Sequence, residues 1–77
     1  MRFSELRDII TTLGGEARMH TFDDGYTIYA RVPFQGTTEF MRYSYVNGDA
    51  TRPEDRILAG LTLMGLLEDN PSVDTDY

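Results

Sequence analysis

Tyr26-Thr27-Ile28-Tyr29-Ala30-Arg31-Val32-Pro33-Phe34 is the stretch that decides the fold of this chain. Tyr26, Ile28, Ala30, Val32 and Phe34 alternate with Thr27, Tyr29, Arg31 and Pro33, and a period of two assigns the first set to the core face of a β-strand. Turn chemistry brackets the run. Asp23-Asp24-Gly25 precedes it and Gln35-Gly36 follows it, glycine tolerating the positive φ of a tight turn. Glu16 to Phe22 reads as the strand before and Thr38 to Val46 as the strand after, closed by Asn47-Gly48. The centre of the chain is therefore a three-stranded antiparallel meander. Pro33 has no N–H to donate, so it belongs at the end of its strand or at an unpaired edge position.

A helix is expected on each side of the meander. Phe3, Leu6, Ile9, Ile10 and Leu13 recur at helical spacing, with Ser4 as N-cap and Gly14-Gly15 as the stop, which predicts a helix from about residue 4 to 13. Thr51-Arg52-Pro53-Glu54 reads as a capping box with proline in the first turn, and the helix it opens is expected to reach Glu68 or Asp69 before Asn70-Pro71. Inside it, residues 57–67 form an eleven-residue run without a charge, in a chain that is 26% charged. At about 100° per residue, Ile57, Leu58, Leu61, Met64 and Gly65 share the sector predicted to meet the sheet. Ala59, Leu63 and Leu66 fall roughly opposite, and an outward apolar strip predicts a dimer or partner interface. Gly60 and Gly65 are read as permitting close helix approach.

The fold class predicted is thus α+β: one small domain over residues 1–69 in the order α-β-β-β-α, both helices on one face of the sheet, and an acidic, disordered tail over 70–77. This order resembles that of the double-stranded-RNA-binding domain over nearly the whole chain, at the level of topology. In that family the second helix opens with a lysine-rich stretch that grips phosphates, where this chain has Thr51-Arg52-Pro53-Glu54-Asp55-Arg56. The family's first strand loop enters a minor groove, and here it is Asp23-Asp24-Gly25, whose carboxylates repel an RNA backbone. The resemblance implies shared architecture, which does not carry function.

Charge and composition narrow the classes further. The net charge is -6, but Glu68, Asp69, Asp74 and Asp76 hold four of the thirteen acids, leaving nine against seven arginines in residues 1–67. Rows of carboxylates on a rigid face, as a DNA mimic needs, are not indicated; a solubilising acidic tail is the plainer reading. Every basic residue except His20 is arginine. No cysteine is present, so neither disulfides nor thiolate metal sites staple the domain, and association with a second copy or a partner is the remaining way to reinforce a chain of 77 residues. Met1 to Asp8 lacks the apolar core of a secretory signal, and the expected location is the cytoplasm.

Three constellations stand out. Arg18, Tyr29, Arg31 and Arg42 place an arginine on each strand, and arginines interleaved with aromatics on an open sheet can stack bases and contact phosphates. The register of the third strand decides whether Arg42 or the pair Tyr43 and Tyr45 shares that face, and Glu16 and Glu39 are available to neutralise it. Asp23, Asp24, Asp74 and Asp76 form an acidic set suited to a basic partner groove. His20, the lone histidine, has no nucleophile in a recognisable motif, and the carboxylates fit no calcium-loop spacing. No catalytic residue, metal or cofactor is expected. The function expected is a non-catalytic protein-binding module, an accessory or inhibitory protein of the kind phages direct against host machinery, acting through the apolar helix face and acidic surface. The alternatives are a nucleic-acid-binding domain using the arginine and aromatic sheet face, and a structural subunit of a larger assembly.

Overall fold

A computed structural model describes residues 1–67. The elements run α1 (Phe3–Thr12), β1 (Glu16–Phe22), β2 (Gly25–Phe34), β3 (Thr37–Val46) and α2 (Pro53–Leu63), a small α+β domain with the sheet in the order β1-β2-β3. The predicted meander is present, with β2 at its centre and both pairings antiparallel. Gln35 at φ 54° and Gly36 at φ 81° form the two-residue turn that joins β2 to β3, the left-handed pair a type I′ hairpin needs. Pro33 faces Thr38 one pair from this turn, beyond the last β1–β2 partner pair, Glu16 with Arg31. Ladder alternation points its nitrogen to the β1 side, where no strand requires a donor.

Both helices lie on one side of the sheet, α1 chiefly over β1 and α2 over β3. Leu6, Ile10, Ala17, Ile28, Ala30, Val32, Ile57 and Leu61 are buried between the two layers. Ile28, Ala30 and Val32 of β2 are core as the alternation predicts, while Tyr26 and Phe34 of the same set are half-buried. Leu58 and Met64, read as core, are only half-buried at its margin.

The helix ends differ from the sequence reading in ways that matter for function. Helix α1 starts one residue early: Arg2 is the N-cap, its N–H donates to Glu5 Oε1 at 2.8 Å, and Ser4 lies within the first turn. Glu5 accepts the N–H of Arg2 itself, and the N–H of Leu6, one that an N-cap Ser4 would take, bonds Arg2 O instead at 3.1 Å. At α2 the N-cap is Arg52, not Thr51, with Pro53 as the first helical residue. Glu54 does not reach back to cap the helix; it turns inward, 3% exposed, and accepts a 2.7 Å hydrogen bond from the Tyr26 hydroxyl. A buried carboxylate is costly without a donor, and Tyr26 supplies one while α2's N-terminus adds a favourable dipole. At its far end α2 stops at Leu63 rather than Glu68 or Asp69. Gly65 takes φ 81°, Gly65 N–H bonds Thr62 O and Leu66 N–H bonds Leu61 O at 3.0 Å each, which together make a Schellman cap. Gly65 is therefore a terminator: among the described residues nothing lies within 4 Å of where its Cβ would stand, so it is not a close-packing position.

The Tyr26 to Glu54 bond has a pH signature. Burial first, and the Glu54 carboxylate second, push the Tyr26 phenol up from 10.0 to about 12. Since the folded pKa lies above the unfolded one, the contribution is complete below pH 10 and is lost as the pH rises toward 12. Urea midpoints of the native chain and of Tyr26→Phe are expected to differ at pH 8 and to converge between pH 10 and 12. A constant difference across that window would exclude the linkage.

Candidate binding face

Antiparallel register determines which side chains share the uncovered face of the sheet. Arg18 pairs with Tyr29 and Tyr29 with Arg42, so the three stand in one row across β1, β2 and β3, about 5 Å apart from strand to strand. The next row is Glu16, Arg31 and Phe40; the row on the other side is His20, Thr27 and Ser44. All four residues of the predicted arginine and aromatic set, Arg18, Tyr29, Arg31 and Arg42, thus fall on one face. Tyr43 and Tyr45 fall on the other. There they meet α2, with the Arg56 guanidinium 5.6 Å from the Tyr43 ring centre and Arg52 5.4 Å from that of Tyr45. This settles the open question of β3 in favour of Arg42.

The face carries apolar surface as well as charge. Phe40 is 73% exposed, Tyr29 45% and Phe22 41%. Phe40 escaped the sequence reading, although it lies two residues from Arg42 and the period of two puts both on one side. Glu16, Arg18, Tyr29, Arg31 and Phe40 surround a shallow depression of about 320 Å³.

Glu16 organises the charges. Its carboxylate accepts from Arg18 Nη2 at 3.0 Å and from Arg31 Nη2 at 2.7 Å, and these two hydrogen bonds, Arg18 first, hold its pKa below the usual 4.5. Glu39, the other expected neutraliser, pairs with Val32 on the helix-covered face and takes no part. Arg42 makes no ion pair among the described residues. Thr27 Oγ1 and Ser44 Oγ lie 2.7 Å apart in the adjoining row, and His20 sits beside them with its ring centre 6.4 Å from that of Phe22.

The outer strip of α2 is narrower than expected. Ala59 is exposed and Leu63 is 89% exposed, but Leu66 is half-buried and packs against the core. The correction follows from the Schellman cap: beyond Gly65 the chain leaves the helical path, so the helical wheel no longer locates Leu66. Asp23 and Asp24 are exposed in the β1–β2 turn, without the left-handed φ expected of it. Gly25 is required there for closeness instead, since a Cβ would lie 1.8 Å from Tyr45 O. Asp74 and Asp76, and with them the acidic tail, lie outside the described residues.

Among the described residues no group of three His, Cys, Asp or Glu could hold a metal ion, and no helix is long and apolar enough to cross a membrane. No family model matches the chain, and no curated protein or solved structure matches it either.

Proposed function

We propose that this chain is a non-catalytic protein-binding module, and that its contact surface is the open face of the sheet rather than the outer strip of α2. The observation that carries this reading is the single register row of Arg18, Tyr29 and Arg42, flanked by the exposed Phe40. Arginine and aromatic side chains dominate the energetics of protein interfaces, because they cover large apolar area while retaining directional hydrogen bonds. A rigid three-stranded sheet presents them with little ordering cost. The role that suits such a surface on so small a domain is that of an accessory or inhibitory protein, which works by occupying a surface of another protein.

A nucleic-acid strand is the second reading, favoured by the same row, since Tyr29 and Phe40 offer stacking platforms. Electrostatics weigh against it. Glu16 offsets one of the two charges of Arg18 and Arg31, and Asp23 and Asp24 close one end of the sheet, whereas a strand-binding groove relies on a positive track for phosphates. Affinity capture from the source cell with the immobilised chain tests the protein reading. Tyr29→Ala and Arg18→Ala are each expected to weaken the retained protein by about 30-fold, the effect of losing a central hot-spot side chain. Filter binding with single-stranded and duplex oligonucleotides at low salt tests the other. Tight binding that falls steeply with salt, with no protein retained, would replace the first reading by the second.

A further inference from the structure

Leu63 and Phe40 are the two most exposed large apolar side chains among the described residues, at 89% and 73%. They flank the same sheet edge. Phe40 projects from β3 on the open face. On the covered face α2 runs antiparallel to β3, with Arg52 at Tyr45, Arg56 at Tyr43 and Gly60 at Met41, where a Cβ on Gly60 would lie 3.5 Å from the sulfur. Two turns after Arg56 and one after Gly60 on that flank comes Leu63, which places it over the Glu39 end of β3.

Among the described residues the edge between them is long and carries no covering element. Strand β3 pairs with β2 over all ten of its residues without a bulge and contains no proline. Counting from the two-residue turn, Thr37, Glu39, Met41, Tyr43 and Tyr45 direct their backbone groups to β2, and Thr38, Phe40, Arg42 and Ser44 direct theirs outward. Val46, next in the outward series, has its N–H taken by Asp49 Oδ2 at 2.9 Å, which closes that end of the edge. An edge of this kind is a template for another strand.

We infer that β3 pairs antiparallel with β3 of a second copy, in the register that sets Met41 opposite Met41, to form a continuous six-stranded sheet. Side-chain complementarity selects the occupant and the register. With Met41 on the two-fold axis, Phe40 faces Arg42 of the second copy and Arg42 faces its Phe40, a guanidinium on an aromatic ring twice over. On the covered face Glu39 meets Tyr43 of the second copy, an acceptor opposite a phenol. Leu63 then lies over that Tyr43 and the stem of Arg56. Sliding by one residue on each strand in one direction puts Arg42 opposite Arg42, and in the other direction puts Glu39 opposite Met41. Neither alternative satisfies both faces. Pairing of β3 with its copy goes beyond the proposed partner contact, with which it shares Phe40 and Arg42; Arg18 and Tyr29 lie on β1 and β2, away from this edge, and the oligomeric state tests the pairing separately from partner capture.

Sedimentation equilibrium of the full chain between roughly 1 and 100 µM reads the result, since association follows concentration. The native chain is expected at twice its 8.8 kDa mass. Phe40→Arg and Leu63→Arg are expected to yield folded monomers, each facing an arginine of the second copy. Phe40→Glu, which faces Arg42, keeps the dimer. Because the chain has no cysteine, Met41→Cys is expected to give a covalent dimer on mild oxidation, whereas Phe40→Cys and Arg42→Cys do not. A native monomer throughout that range, loss of the dimer in Phe40→Glu as well as Phe40→Arg, or cross-linking that does not favour Met41→Cys would each overturn the inference.

Discussion

Leu61→Ala is expected to lower the stability of the folded monomer by about 2 to 5 kcal/mol, whereas Leu63→Ala, two residues away on the same helix, should change the monomer's stability by less than about 0.5 kcal/mol. Leu61 is fully buried among Ile57, Leu6 and the β2 face, and Leu63 is 89% exposed. Removing the Leu61 side chain forfeits the transfer of its methyl groups and leaves a cavity, since two helices on one small sheet have little freedom to collapse into it. The loss is large against the total. A chain of this length has about 4 to 12 kcal/mol of stability in all. Leu61→Ala is therefore expected to unfold at much lower urea, with a population of unfolded chain visible by circular dichroism near 37 °C. A shift in midpoint no larger than that of Leu63→Ala would show that α2 is not held to the sheet as described.

The same helix shows how far a sequence of this kind can be read. Strand β2 was legible in its parity, because its apolar and polar positions alternate and only one parity is consistent with a core, although Tyr26 and Phe34 at its ends are half-buried and Thr27 on the other parity is buried. Strand β3 was not, because apolar residues occupy both parities: Phe40 and Val46 on one, Met41, Tyr43 and Tyr45 on the other. Only the pairing of Ile28 with Tyr43 and Tyr29 with Arg42 separates them. Register is a property of two strands, and one strand with an ambiguous pattern does not encode it alone. The arginine and aromatic face could be assembled from the sequence up to that ambiguity, and Phe40 was hidden by it. Helix α2 failed at both ends for a different reason. A glycine within an apolar run suits close packing and termination equally well, and Gly65 terminates; a glutamate near a helix start suits capping and burial equally well, and Glu54 is buried under Tyr26. In both cases tertiary contacts chose between local alternatives of similar energy.

Glycine substitutions provide the sharpest separation between such alternatives. Gly15→Ala is expected to destabilise the chain by about 3 kcal/mol, at the upper end of overpacking costs, and Gly60→Ala to stabilise it by about 0.5 to 1 kcal/mol. At Gly15 a Cβ would lie 2.0 Å from the carbonyl oxygen of Arg31 and 3.0 Å from Val32 Cγ1. The obstacle is backbone of the central strand, so no rotamer change relieves it. Nor is Gly15 free to retreat: its N–H donates to Ile10 O at 2.9 Å to close α1, and Glu16 beside it pairs with Arg31 to begin the β1–β2 ladder. Moving it pulls apart a helix cap or a strand pair, each of which the fold needs. The clash also displaces Arg31, so the depression bordered by Glu16, Arg31 and Phe40 should deform along with the core. Gly60 is the opposite case. Among the described residues a Cβ there would meet only Met41 Sδ, at an ordinary 3.5 Å, and alanine replaces the poorest helix former short of proline with the best. Thermal and urea unfolding of the two variants should therefore move in opposite directions. If Gly60→Ala destabilises, the contact between α2 and Met41 is tighter than described, and the position of Leu63 over the β3 edge must shift with it.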